Sequence, residues 1–301
     1  MIARLLALLA LMIAAPAIAQ TDPGRFLEVE RMAAAGLPDQ RLTIWLPPGY
    51  GTSKRRYPVL YMHDGHNLFD LKKSNFNKVW AADKAMLAVM AGGKVEPHII
   101  VGIWAPGHDR YRQYLPMTAY RLASPALRAK MDKIAGGPII SDAYLAWLAG
   151  PLKGWVDGQF RTRRGARDTA IAGSSMGGLM SCWAFAERPD VYGKAACIST
   201  HWPLAMPGDG EGADAERMAL NRSWFVDRLG PAKGRRLWLD IGTATLDAHY
   251  PPYQASISDA MAAKGWKRGS TWESRVYEGA EHEENAWARR LPEVFDWLLR
   301  K

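Results

Sequence analysis

A serine set between two glycines is the clearest chemical signal in this sequence. Gly173-Ser174-Ser175-Met176-Gly177-Gly178 follows an apolar run and opens a helix-like run. A serine on a sharp strand-to-helix turn needs small residues two positions on either side, because a Cβ there would collide with neighbouring backbone. Ser175 meets this condition and Ser174 does not. The pattern therefore predicts Ser175 as a nucleophile, although a glycine turn that does no chemistry would carry the same letters.

A general base is expected after the nucleophile, in the chain order serine, acid, histidine. His282 lies between the strand-like run 271–277 and the helix-like run 284–299, so a short loop can carry its imidazole to the serine. His201 and His249 also lie near strand ends and remain competitors. We predict His282 as the base, because it alone follows the last strand signal.

Two aspartates compete for the role of the acid that orients the histidine. Asp240 belongs to the strand-like run 236–241, whereas Asp247 lies beyond Gly242 on a loop that is free to reach across. Such an acid must be held by hydrogen bonds and keep its charge. We predict Asp247 and leave Asp240 open. His282 would take the Ser175 proton as Oγ attacks an acyl carbon, and water would later release the acyl group.

The oxyanion formed in that reaction needs backbone donors. The residue after the nucleophile, Met176, supplies one N–H, and an earlier strand exit supplies another. His63-Asp64-Gly65-His66 follows an apolar strand, so Gly65 and His66 are the predicted second donors. The first two residues of this stretch are equally compatible with a pair that stabilises the turn.

Aromatic and cationic residues after two other strands are candidates for substrate contact: Trp104, Arg110, Arg112, His201 and Trp202. Aromatic walls suit a phenolic acyl group or a sugar, and arginines suit a carboxylate or a catecholate. A chain with 13 tryptophans also places several near any cleft by packing alone.

Three separated motifs together carry a family resemblance. The segment His63 to Asp70, the segment Gly173 to Gly178, and Gly279-Ala280-Glu281-His282 resemble the putative esterase family, over nearly the whole chain from Arg41 onward. That family includes feruloyl and acetyl-xylan esterases, siderophore esterases, S-formylglutathione hydrolase and mycolyltransferases. The resemblance implies an α/β-hydrolase fold, carboxylic ester hydrolysis, and the roles of Ser175 and His282.

The acid does not carry over from the family in the same way. Many members place Glu or Asp three residues after the glycine that matches Gly242, and this sequence has Thr245 there. Either Asp247 takes the role, or the site relies mainly on a Ser-His pair.

Alternating element types support the same fold. Seven short apolar runs are separated mostly by amphipathic stretches of helical length, which predicts one α/β domain with a mainly parallel sheet covered by helices on both faces. The runs are 42–46, 59–62, 99–103, 169–172, 195–199, 237–241 and 271–277.

The N-terminus has the form of a secretory leader. An apolar run follows Arg4 and ends in Ala17-Ile18-Ala19, so we expect cleavage after residue 19, a mature single domain over 20–301, and a periplasmic or secreted location. No second apolar run long enough to span a membrane follows.

The net charge bears on the kinds of partner that this protein can bind. The formal net charge is +9 for the whole chain, which could favour an acidic substrate or surface. No nucleic-acid motif accompanies it, no zinc-ligand spacing is present, and no cofactor or metal is expected.

Cys182 and Cys197 are the only cysteines. We expect two buried, unpaired thiols, because the geometry of a disulfide is demanding.

The leading hypothesis is thus an exported serine esterase acting on a small-molecule or oligosaccharide ester, such as a hydroxycinnamoyl or acetyl polysaccharide ester or a siderophore ester. An acyltransferase with the same triad is the first alternative. A non-catalytic carbohydrate-binding or interaction protein on this fold is the second, which the intact serine and histidine disfavour.

Overall fold

A computed structural model describes residues 22–301. The predicted leader lies outside the described residues. None of the helices in this part of the chain is long and apolar enough to cross a membrane.

One eight-stranded sheet, in the order β1-β2-β4-β3-β5-β6-β7-β8, organises the molecule. Its strands are β1 (Arg25–Met32), β2 (Gln40–Leu46), β3 (Val59–His63), β4 (Ile99–Ile103), β5 (Thr169–Ser174), β6 (Lys194–Ile198), β7 (Arg236–Gly242) and β8 (Trp272–Tyr277). β1 and β2 are antiparallel, and the other six are mutually parallel. All seven predicted strand runs are present. The additional strand, β1, has no buried residue and lacks the continuous apolar run that signals a central strand.

Helices cover both faces of this sheet. They are α1 (Ala82–Ala91), α2 (Arg110–Tyr114), α3 (Met117–Leu122), α4 (Pro125–Ala135), α5 (Ser141–Trp147), α6 (Lys153–Gln159), α7 (Met176–Glu187), α8 (Glu211–Asn221), α9 (Pro251–Ala263) and α10 (Glu284–Leu299). Two large apolar clusters lie one on each side of the sheet. β3 and β4 are buried along their whole length, as expected for parallel strands packed on both faces. This is the α/β-hydrolase fold that the sequence predicts.

The expectation of two unpaired thiols is wrong. Cys182 and Cys197 form a disulfide whose Cα atoms are 5.9 Å apart. Cys197 lies on β6 and Cys182 lies two turns into α7, which packs against that strand, so the two side chains meet in the core. Sequence spacing gives no measure of this distance, because it depends on how the helix docks.

Candidate active site

Ser175 lies at the sharpest point of the turn between β5 and α7. Its φ of 55° and ψ of −120° are strained for a residue with a Cβ. The backbone around it is clamped, because its N–H donates to Ile198 O at 2.9 Å and its carbonyl accepts from His201 N at 3.2 Å. The fold therefore holds the Ser175 hydroxyl at the carboxyl end of the central strand.

The two glycines that flank Ser175 are crowded by contacts of different kinds. A Cβ at Gly173 would lie 2.7 Å from the Gly177 backbone carbonyl. A Cβ at Gly177 would lie 3.1 Å from His63 Cβ and 3.2 Å from the Asp64 carboxylate. The turn thus closes against itself on one side and against the β3 exit on the other, as a serine turn with glycines at both positions predicts.

His282 reaches the same region from the loop after β8. Its Nδ1 lies 2.5 Å from Asp247 Oδ1, and its backbone N–H donates to Thr245 Oγ1 at 2.8 Å. The ring packs edge-on against Tyr250 and Trp287, with centroids 5.7 and 5.1 Å away. Thr245, at the position where many family members carry the acid, thus holds the histidine loop, and the carboxylate lies two residues further on.

Asp247 is fully buried, and both of its carboxylate oxygens have hydrogen-bond partners. Its Oδ2 accepts from Gly242 N at 2.6 Å and lies 2.5 Å from Ser199 Oγ. Burial alone would raise the pKa of Asp247, but the bonds from His282, Ser199 and Gly242 outweigh it and hold that pKa below its ordinary value. The carboxylate beside His282 is therefore charged at neutral pH.

Ser199 connects this carboxylate to a second buried layer. Its Oγ accepts from Trp287 Nε1 at 3.0 Å and from Arg290 Nη2 at 2.6 Å. Both partners can only donate, so the Ser199 hydroxyl hydrogen is directed to Asp247. Asp240 belongs to this second layer. It lies 3.1 Å from Arg290 and forms no hydrogen bond or ion pair with His282.

The predicted oxyanion donors belong to two elements. Met176 is the first residue of α7, and Gly65 and His66 open a short 3₁₀ turn at the β3 exit. The first N–H groups of a helical turn have no partner within that turn. Gly65 is pressed against β4, because a Cβ there would lie 2.5 Å from the Gly102 carbonyl carbon.

Arg110 lines the cleft, but its guanidinium is paired with Asp64. It donates from Nε and Nη2 to the two Asp64 oxygens at 2.7 and 2.8 Å. Asp64 has a left-handed backbone with φ 57°, and although burial raises its pKa, Arg110 lowers it below the ordinary value. The pair fixes the β3 exit, which supports the interpretation of His63-Asp64 as turn-stabilising.

A cleft of about 680 Å³, called here the Ser175 cleft, contains these groups. Its wall includes Ser175, His282, His66, Arg110 and Trp104 from the predicted set. His66 is neutral, since burial lowers its pKa and its Nε2 accepts from Asn75 Nδ2 at 2.9 Å. The wall also includes residues that the sequence reasoning missed, among them Lys73, Asn75, Phe76, Lys78, Trp80, Glu283, Glu284 and Trp287.

The loop 71–81 supplies most of the missed wall. Asn67 holds this loop by accepting from Asn75 N at 2.8 Å, and Lys78 ties it to Glu283 at 3.1 Å. Phe76 remains 80% exposed at the mouth of the cleft. The loop has no apolar period, so the only signal for it in the sequence is its position after a strand exit.

Three predicted substrate residues, Arg112, His201 and Trp202, are not on the wall of the Ser175 cleft, and their side chains are engaged within the protein. Trp202 is fully buried and donates from Nε1 to Gln254 at 2.9 Å. Both ring nitrogens of His201 are bonded inside the protein, and burial lowers its pKa to about 3. Arg112 pairs with Asp109 at 3.1 Å. Strand-exit position alone does not reveal which way a side chain points.

Comparison with protein families decides the classification. The family model described as "Putative esterase" matches residues 38–298. The chain belongs to this family. The sequence-based prediction of a serine esterase is confirmed at that level.

Individual relatives are distant. The uncharacterized protein YbbA of Bacillus subtilis is 21% identical over 270 residues, which cover 87% of this chain and 94% of that protein. A solved ferulic acid esterase superposes with a TM-score of 0.65 at 17% identity, over 92% of this chain and 97% of that one. The enterobactin esterase FES of Shigella flexneri gives a TM-score of 0.60 at 14% identity, over 90% and 59% of the respective chains. These similarities establish a shared fold.

Proposed function

We propose that this family member is an exported serine esterase that cleaves carboxylic esters through an acyl-enzyme. One observation carries the proposal: a serine on a strained turn shares a cleft with a histidine whose Nδ1 lies 2.5 Å from a buried, charged aspartate. A serine with a histidine base and an orienting carboxylate is the arrangement that activates a hydroxyl for acyl transfer.

The proposed reaction proceeds in two halves. Ser175 Oγ attacks the acyl carbon while His282 Nε2 takes its proton, and the histidine then gives that proton to the departing alkoxide. Water attacks the acyl-enzyme in the second half, with the same histidine accepting and returning a proton. Asp247 keeps the hydrogen on Nδ1 and stabilises the imidazolium that forms in each half.

Backbone donors would stabilise the oxyanion of both tetrahedral intermediates. The Met176 N–H lies at the positive end of α7, a 12-residue helix. Gly65 or His66 would supply the second N–H from the turn that the Asp64–Arg110 pair holds. Arg110 thus supports the oxyanion site through Asp64 and is not assigned to bind substrate.

The chemistry of the cleft wall favours an aromatic acyl group. Phe76 and Trp104 present aromatic surface, Trp80 and Trp287 line the cleft from nearly buried positions, and Asn75 contributes an amide. A phenolic acid can stack on such rings while its hydroxyl groups bond to polar neighbours. Hydroxycinnamoyl esters of polysaccharides and catechol siderophore esters share this chemistry. Export to the periplasm or beyond is inferred from residues 1–19.

Ester hydrolysis by the purified protein and a Ser175→Ala variant tests the proposal. The panel is a short aryl ester, a feruloylated oligosaccharide, an acetylated xylan and a catechol siderophore. We expect turnover to fall at least about 10⁴-fold in the variant and the aromatic acyl esters to be the best substrates. Ser174→Ala is the matched comparison, because Ser174 is adjacent and only 2% exposed.

Loss of activity in Ser174→Ala alone would refute the assignment of the nucleophile. Transfer to an added alcohol in preference to water would identify an acyltransferase. A folded wild-type protein that turns over no ester would refute the esterase proposal.

A further inference from the structure

The topology separates the cleft from the opposite edge of the sheet. Ser175, Asp247 and His282 follow the carboxyl ends of β5, β7 and β8, so the cleft lies at that edge. The connections that lead into the six parallel strands all lie at the other edge. The strand-entry face is defined here as those connections and the chain ends beside them: 22–24, 47–58, 92–98, 160–168, 188–193, 227–235, 264–271 and 300–301.

Positive charge is concentrated on the strand-entry face. It holds 17 of the chain's 39 Lys and Arg residues but only 5 of its 30 Asp and Glu residues. The rest of the described chain carries more acidic than basic side chains, although residues 22–301 as a whole are strongly positive. The strand-entry face is therefore basic, whereas the rest of the described chain has a net negative charge.

The segments of this face form one surface. Glu96 pairs with Arg55 at 3.3 Å and with Arg163 at 2.5 Å, which joins three of the segments. Gly193 N donates to Ala166 O at 2.9 Å and joins a fourth.

The remaining segments extend the surface to its other side. Lys301 N donates to Lys94 O at 3.2 Å, which places the C-terminus beside the connection into β4. Trp266 Nε1 donates to Gly230 O at 3.3 Å, which joins the connections into β7 and β8. Six parallel strands about 4.8 Å apart give the face a width of roughly 24 Å.

Much of this charge is left without a partner. Within residues 22–301, the side chains of Lys54, Lys94, Arg167 and Lys267 are exposed and form no salt bridge or hydrogen bond. Burial, followed by repulsion from Arg236, lowers the pKa of the adjacent Lys194 to about 8.

The face is also free of apolar anchors. The large hydrophobic side chains that are exposed in the described chain all lie elsewhere: Phe26, Leu71, Phe76, Leu122, Ile134, Met206 and Val276. A partner of this face would therefore be held by charge over a broad area.

We propose that the strand-entry face binds an anionic phospholipid bilayer, with the Ser175 cleft turned away from the membrane. A bilayer is a flat polyanion that matches a broad face and needs no groove. Juxtaposed Lys and Arg residues bind such surfaces without insertion, and each strengthens binding by about fivefold. The acidic remainder of the molecule would be repelled, which fixes the orientation and leaves the cleft open to substrate.

A nucleic acid fits this face less well. Single strands are bound by exposed aromatic side chains on which bases stack, and the face exposes no large aromatic residue in the described chain. The helices present their C-terminal ends here, where the dipole is negative, and not the N-terminal ends that bind phosphate groups.

Vesicle sedimentation tests the proposal with the chain from Gln20 onward, which contains every described element. The probes are vesicles of equal phosphatidylglycerol and phosphatidylcholine, vesicles of phosphatidylcholine alone, and duplex DNA, each at low and high salt. The test variant combines Lys54→Gln, Lys94→Gln, Arg167→Gln and Lys267→Gln. The control variant removes four exposed cations from other surfaces: Lys84→Gln, Arg121→Gln, Lys133→Gln and Arg289→Gln.

We expect binding only to the anionic vesicles, lost at high salt, and weakened about 30- to 600-fold in the test variant, the product of two to four such contacts. The control variant should bind within about threefold of wild type, and both variants should keep the wild-type kcat and KM on a soluble ester. Equal binding by the test and control variants would overturn the proposal, as would no binding to anionic vesicles. Binding to duplex DNA at an ionic strength where the vesicles are not bound would overturn it in favour of a nucleic-acid partner.

Discussion

Replacing Ser199 with alanine should weaken folding and catalysis together, because one buried hydroxyl serves three partners. It donates to Asp247 and accepts from Trp287 and Arg290, at distances of 2.5 to 3.0 Å. Ser199 is not on the cleft wall, so the substitution leaves the substrate-contacting surface intact.

The magnitude follows from those bonds. A hydrogen bond to a charged group contributes about 1.5–3 kcal/mol, and a buried donor left without an acceptor costs about 1–3 kcal/mol. Arg290 keeps its contact with Asp240, which offsets part of the second cost. We expect the free energy of unfolding to fall by about 3 kcal/mol at pH 7, measured by chemical denaturation.

The loss should depend on pH in a defined direction. Because the folded-state pKa of Asp247 is depressed, its charged form contributes stability above the unfolded pKa of about 3.9. That contribution disappears as pH falls through the lower folded pKa. The difference between wild type and Ser199→Ala should therefore be full at neutral pH and shrink below about pH 4.

Kinetics provide the second measurement. A less firmly held Asp247 orients His282 less well, so kcat should fall about tenfold while KM changes little. Ser181→Ala is the matched control, because Ser181 is equally buried but donates only to the Gly177 carbonyl, at 2.8 Å. A stability loss that is the same at every pH, together with an unchanged kcat, would show that the Ser199 hydroxyl only fills space.

Three further predictions follow from the same region. Asp247→Asn should lower kcat about 10³- to 10⁴-fold, because an amide stabilises the wrong tautomer of His282. Asp240→Asn should mainly lower the stability of the fold. If kinetic assays gave the reverse result, Asp240 would be the acid of the triad. Gly242→Ala should prevent stable folding or lower Tm by more than about 10 °C, because its Cβ would lie 2.1 Å from a backbone carbonyl oxygen; a wild-type thermal transition would contradict this contact. Replacing both Cys182 and Cys197 with alanine should lower the free energy of unfolding by about 3 kcal/mol, the value for a loop of 15 residues. Free thiols detected in the unreduced, denatured wild type would disprove the disulfide.

Local sequence determined the elements and the central turn. Apolar runs of strand length alternate with helical stretches, and these predicted seven of the eight strands. Gly173 and Gly177 mark the turn at Ser175, because a Cβ would overlap backbone at Gly173 and would be crowded by His63 and Asp64 at Gly177. Such signals lie within a few residues, where sterics and periodicity act directly.

Contacts between distant segments were decided only by the tertiary structure. Ser199, Asp247 and Arg290 are far apart in the chain, and nothing in their local patterns indicates that they meet. Trp104 and Trp202 both follow strands, yet one lines the cleft and the other is buried, since orientation depends on neighbouring elements. The net charge was visible in the composition, but its collection on one face arises because parallel strands all begin at the same edge of the sheet.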